Sequence, residues 1–388
     1  KPIKDKTGSA AEATLTKAVA KAAGSPQELV GAVKAYLPRA AVGEAAGLAD
    51  VTKACQEASD AYKGKGDAAS AFEAITLTVE ANLAMSEFEA AMKLATELKA
   101  SAANAKLSAA AVKLVVDCHS AVGDLDKALE AAVSGKADVA KKNDDDALVE
   151  ALQTVVGVYL AKGEFDEAVK AATEATKVKS KKGEAAGNTL LGSTLKAKAV
   201  QGEDLEAFKK GVKDAIAAQK KAAALYKELG DAQEQAEALK AVIHSLFLSE
   251  ENSEAAKVAK EMQAFTGASK ATGLQLLAAA HILQFAADKK YLDGGEAEMR
   301  SSAKDALEIF EQLGDAKSIM AAQQVLTTAS SIAELGQEDA QLVAGAYAAS
   351  FKATGATSAK VSSLIASAQA NLRMGKMHSA YWDAKKIM

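Results

Sequence analysis

Proline is almost missing from this chain. Pro2, Pro26 and Pro38 are the only three, and no proline follows up to residue 388. Helices can therefore run through nearly the whole sequence without a ring clash or a lost N–H donor. Aromatics are scarce at 4%, with one Trp. Strands draw on aromatic and β-branched residues in alternation, and no convincing period-two run occurs. Arginine is limited to Arg39, Arg300 and Arg373. Bidentate reading of phosphates and bases favours Arg, so nucleic acid is not the expected partner. Cysteine is limited to Cys55 and Cys118, with no CxxC spacing. That excludes a disulfide framework and points to a reducing compartment. No apolar run reaches the ~18 residues of a transmembrane helix. The chain is expected to be soluble and intracellular, in the cytoplasm or in an organelle interior after removal of a transit peptide.

What is present is alanine, and charge of both signs. Hydrophobic residues make up 49%, enough for a large core, and the net charge is −4. A core built on Ala implies helices packed closely through thin side-chain layers. About nineteen helices with short turns can be marked out.

The stretch "LAKGEFDEAVKAATEATKV" (160–178) shows how they are organised. Leu152, Val155, Val156 and Tyr159 lie on one helical face before Gly163. Phe165, Ala168, Ala172 and Ala175 form a second stripe after it. Gly permits the tight turn, and the two stripes predict an αα-hairpin. The pattern returns 40 residues earlier as Val112, Val115, Val116, His119 and Gly123, then Leu125, Ala128, Ala132 and Gly135. Another 37 residues back it is Ile75, Thr78, Val79, Asn82 and Ser86, then Phe88, Ala91, Ala95 and Leu98. It recurs at Leu239, Val242, Ile243, Leu246, Asn252, Ala255 and Ala259. Near the end it is Leu364, Ala368, Asn371, Gly375, Met377, Ala380 and Ala384. "LYKELGDA" (225–232) and "IFEQLGDA" (309–316) add a second match, 84 residues apart at Gly230 and Gly314. There Gly should close one helix and Asp cap the next.

These positions resemble the tetratricopeptide repeat (TPR). Leu152, Val155, Tyr159, Gly163, Phe165, Ala168 and Ala175 match its large, aromatic, Gly and Ala places. The family's small eighth residue is Val79, Val116 or Val156, and its later aromatic is Ala95, Ala132 or Ala172. That exchange roughly conserves volume. Spacings of about 37–47 residues exceed the strict 34 of the family, and its closing Pro is absent. The resemblance covers about residues 67 to 388. It implies an all-α fold, a right-handed α-solenoid of antiparallel helix pairs. Residues 1–66 are expected to form an N-terminal helical segment capping the array, and 67–388 the array itself, continuous with it. Residues 204–229 read as one long helix. "KKNDDDA" (141–147), "KVKSKKGEAAGN" (177–188) and "YLDGG" (291–295) read as loops or insertions.

Catalytic chemistry is not expected. His119, His244, His281 and His378 stand far apart in sequence, and none sits in an HExxH spacing. Cys118 and His119 are adjacent, so on a helix they point about 100° apart. Asp144, Asp145 and Asp146 lack the spacing of a calcium loop and read as a helix N-terminus. "GNTLLGSTLK" (187–196) lacks the Lys-Ser/Thr of a phosphate loop. No cofactor or metal is expected, and the chain is not expected to be an enzyme.

By the resemblance, a concave groove is lined by the first helix of each pair. The candidate partner-binding residues are Glu73, Thr76 and Glu80, then Lys113 and Asp117, then Glu150 and Gln153, then Lys240, His244 and Phe247. This set leans acidic. It lacks the Lys/Asn/Arg set with which some TPR domains hold a chaperone's C-terminal carboxylate. The implied function is a non-catalytic protein–protein interaction scaffold or adaptor, binding a peptide or helix that carries Lys or Arg. The alternative is a constitutive structural subunit of a larger multiprotein assembly, such as one inside an organelle. Tyr381, Trp382, Ile387 and Met388 either pack on the preceding hairpin or form a docking patch.

Overall fold

The computed structural model describes residues 48–202, 204–287 and 292–334, with Ala340, 343–345 and Tyr347. The segment 1–47, the repeat register from Leu364 to Ala384, and Tyr381, Trp382, Ile387 and Met388 lie outside them. The described residues are all-α and fall into two compact units, which divide between Gly183 and Glu184.

The first unit contains α1 (Leu48–Gly64), α2 (Ala68–Ala84), α3 (Phe88–Ser101), α4 (Ala105–Ala121), α5 (Leu125–Ala140), α6 (Asp145–Ala161) and α7 (Phe165–Ala175). Each packs on the next, in chain order, as an antiparallel neighbour. In addition α2 touches α4, and α4 touches α6, so the leading helices of successive pairs form one layer. Repeat positions fill the space between layers. Val79, Ala95, Ala132, Leu152, Ala172 and Ala175 have no accessible surface, and Val116 and Val156 almost none. The exchange of the family's aromatic for Ala against Val thus gives closed hairpins.

The second unit contains the rest of α8 (Lys181–Gln201), then α9 (Leu205–Leu229), α10 (Ala232–Leu248), α11 (Asn252–Glu261), α12 (Gly267–Ala287), α13 (Leu292–Leu313) and α14 (Ala316–Glu334). Here α10 touches α12, and α12 touches α14. Their core joins Val242, Ile243 and Leu246 to Leu277, Ile282 and Phe285. The long α9 agrees with the helix expected over 204–229.

One turn is used repeatedly. Gly66, Gly123, Gly163 and Gly230 all adopt left-handed backbone with φ between 72° and 80°. The acidic residue that follows each Gly donates its N–H back to a carbonyl of the preceding helix, at 2.9–3.0 Å: Asp67 to Tyr62, Asp124 to His119, Glu164 to Tyr159 and Asp231 to Tyr226. This bond satisfies a carbonyl that the helix end would leave orphaned. Asp67, Asp124 and Asp231 also cap the next helix through their side chains, as expected for the Gly-Asp pairs. Ser86 and Glu250 form the same turn without glycine, at φ 61° and 63°. Left-handed backbone costs an L-residue about 1–2 kcal/mol, less the greater chain entropy that Gly loses on folding. Ser86→Gly should therefore stabilise the first unit by about 0.5–1 kcal/mol, read as a higher denaturant midpoint at unchanged slope.

The two units share a motif. Tyr62, Gly66, Asp67, Asn82, Ser86 and Glu87 in α1–α3 correspond to Tyr226, Gly230, Asp231, Leu246, Glu250 and Glu251 in α9–α11. The offset is constant (230 − 66 = 250 − 86 = 164), and each set makes the same two turn hydrogen bonds.

The three expected loops are each partly helical instead; within 141–147, α6 already begins at Asp145. In 177–188 the turn ends at Ser180, and 181–188 belongs to α8. Gly183 is buried there, and a Cβ on it would meet Ser180 Oγ and Val178 Cγ2 at 2.8 Å. This glycine serves close approach, not a turn. Likewise α13 begins at Leu292, so "YLDGG" leads into a helix and is not an inserted loop beyond that point.

Candidate functional site

Three leading helices present matching stripes. On α2 the stripe is Ala69, Glu73, Thr76 and Glu80; on α4 it is Lys106, Ala110, Lys113 and Asp117; on α6 it is Asp146, Glu150, Gln153 and Gly157. Steps of four, three and four residues keep each stripe on one helical face. Side-chain caps fix where each helix starts: Asp67 for α2, Asn104 for α4 and Asp144 for α6, accepting backbone N–H bonds at 2.9–3.0 Å.

The upper parts of these stripes enclose an open cavity of about 570 Å³. Its floor is apolar, with Phe72 and Leu77 from α2 and Leu107 and Ala110 from α4. Its rim holds Glu73, Glu80 and Glu150 against one ammonium, Lys106. Thr76 also lines it, but its hydroxyl donates to Phe72 O at 3.0 Å and is engaged within α2. Partial loss of water raises the Glu150 carboxyl above the usual carboxylate range; Asp144 and Asp146 add to this, while Lys106 and Lys182 oppose it.

Glu73, Thr76, Glu80 and Glu150 are thus brought together. Lys113 and Asp117 continue the α4 stripe below the cavity and pair with each other at 2.6 Å. Gln153 is exposed one turn beyond Glu150. Lys240 and His244 lie in the second unit, where Lys240 pairs with Glu237 at 3.0 Å. Burial, with Lys196 and Lys240 nearby, pushes the half-buried His244 imidazole down to about 4. Phe247 is a correction: it is 4% exposed and packs into the second unit's core, so it lines no open face. The resemblance put it on the groove face, but the packing of α10 against the helices around it covers that side. Among the cavity residues missed from sequence are Phe72, Leu77, Lys106 and Leu107. Extending the α4 stripe one turn back from Ala110 would have found Lys106.

Other singled-out residues have structural roles. Asp144 caps α6. Asp145 accepts from Ser180 N at 2.6 Å, and Asp146 from Ser180 Oγ at 3.0 Å, so the acidic triplet also latches the turn before α8. Burial, with Asp117 beside it, raises the Cys118 thiol to about 11, which disfavours a thiolate. His281 is buried, with Nε2 3.2 Å from Glu298, whose other oxygen is 2.8 Å from Lys260. Burial is the largest cause holding the His281 imidazole below its usual range. Among the described residues, no group of three or more His, Cys, Asp or Glu is placed to hold a metal ion. No helix there is long and apolar enough to cross a membrane.

No protein-family model and no curated protein sequence matches the chain. Among solved structures, it is similar to a human IFIT1 dimer with m7Gppp-AAAA, at 12% identity and a TM-score of 0.44, over 96% of this chain and 76% of that one.

Proposed function

We propose that the chain is a non-catalytic interaction scaffold whose first unit receives a segment of a partner protein in the cavity of α2, α4 and α6. The observation that carries this reading is the pairing of an apolar floor with a rim of three carboxylates and one ammonium. An apolar floor rewards buried side chains, and an acidic rim selects partners that carry Lys or Arg. The three helices are held by side-chain caps and by a packed core, so the cavity exists before the partner arrives and little ordering entropy is lost in binding.

The test is retention of the full chain on arrays of short Leu-containing peptides, either Lys-rich or Glu-rich. Lys-rich peptides should be retained, more weakly as salt rises. Glu80→Lys should lower that retention several-fold, and Asp117→Lys, below the cavity, by less. Equal retention of Glu-rich peptides, or no response to Glu80→Lys, would refute the reading.

A further inference from the structure

The same row of the three stripes carries Glu73 on α2, Ala110 on α4 and Glu150 on α6. All three line the one cavity. The helix between the two carboxylates therefore presents only a methyl group, with Leu107 beside it. We propose that the cavity takes an extended segment in which a Lys or Arg, an apolar residue and a second Lys or Arg alternate with other residues, so that positions i, i+2 and i+4 meet Glu73, Ala110 and Glu150. This rests on the proposed scaffold function and names the kind of partner its groove selects.

Geometry leads to this pattern. Packed helices lie about 8–10 Å apart, and α4 stands between α2 and α6, so the outer axes are roughly 16–20 Å apart. Side chains on the two outer helices therefore stand on the order of 10–20 Å apart. In an extended chain, residues i, i+2 and i+4 share a face and span about 13 Å. A helix matching the same row would need i, i+4 and i+8. At a diameter of about 10–12 Å it is roughly twice as broad as an extended chain at ~4.8 Å, so less of it can reach the floor between the rim carboxylates.

Electrostatics agree. Glu150 is the carboxylate that partial burial and two acidic neighbours leave least comfortable as an anion, despite Lys106 and Lys182. An arriving cation would relieve that. Lys106, one turn before Ala110, sits beside the path and disfavours a third basic residue at the apolar position.

Three labelled peptides test this against the full chain by fluorescence anisotropy. The first carries Lys-Ser-Leu-Ser-Lys within a Gly-Ser frame. The second has the same composition reordered as Leu-Lys-Lys-Ser-Ser. The third is an Ala-rich helix with Lys, Leu and Lys at i, i+4 and i+8. The first should bind at least about tenfold tighter than the other two. Glu73→Gln and Glu150→Gln should each weaken it roughly fivefold, the upper range for an exposed pair, while Glu89→Gln on α3 should not. If the reordered peptide binds as tightly, with the same sensitivity to both substitutions, the spacing is wrong and the scaffold reading survives. Tighter binding of the helical peptide would overturn the extended form. If no peptide binds, or neither substitution matters, both readings fall.

Discussion

Gly135→Ala should destabilise the first unit by about 2 kcal/mol, although alanine is the better helix former. Alanine gains about 1 kcal/mol over glycine inside a helix. Against that, a Cβ at Gly135 would collide with both Cγ atoms of Val112 and lie 2.9 Å from its Cβ. Val112 is 2% exposed and belongs to the packed face of α4, so it has little room to move. Overpacking of this kind costs about 1–3 kcal/mol, and the clash here involves the stiff Cβ end of a β-branched side chain. The clash wins. The melting temperature of the first unit should fall by roughly 4–8 °C. Val112→Ala removes both Cγ atoms and creates a small cavity by itself. In the double variant the two defects cancel, so the changes are strongly non-additive. Thermal unfolding of the four proteins measures this. A purely additive double variant would show that α4 and α5 do not meet at that point.

Acidification should loosen the second unit between about pH 6.5 and 4, through His244 and His281. Both imidazoles have folded-state pKa values below their unfolded value, with burial the largest cause. Lys196 and Lys240 further disfavour a proton on His244, and Glu237 opposes them. Around His281, Glu298 from α13 favours protonation and Lys260 from α11 opposes it. The unfolded chain therefore binds more protons in this window, and stability rises with pH. The contribution is complete above the unfolded value near 6.5 and is lost as pH falls. For His244, pushed to about 4, the loss is on the order of 2–3 kcal/mol as pH nears 4. Denaturant midpoints measured across this range should decline for the native protein and decline less for His244→Asn. An unchanged slope in that variant would mean that His244 is well hydrated.

The hairpin around Gly163 was readable because its signals agree: two apolar stripes and, between them, a glycine followed by an acidic residue. So was the long α9, which has strong periodicity, an Asp cap at its start and a Gly-Asp boundary at its end. Glycine elsewhere misled. Gly183, and Gly294 and Gly295 in "YLDGG", look like turn residues in sequence, yet lie within helices. Single-letter patterns do not separate a glycine that bends the chain from one that admits a neighbour. The repeat register put Ser86 in the place of the turn glycines, but the left-handed Glu250 went unannounced for the converse reason, since the chain tolerates strain there without glycine. At the site, the carboxylates were legible through the family resemblance, which carried its groove positions onto them. The floor was not, because whether Leu107 is covered or open depends on how far α2 and α6 stand apart. Phe247 failed for the same cause.

The matched turns that bound α2 and α10 separate two roles along the chain. Between them lie segments of equal length, 67–86 and 231–250, ending in the same backbone geometry. One presents Glu73, Thr76 and Glu80 where the other presents Glu237, Lys240 and His244. The joints are held while the face between them goes from acidic to neutral. Ancestral duplication followed by divergence of the face alone would leave this record. It makes the segment between two turns a cassette, in which recognition can be rewritten without renegotiating how the chain folds.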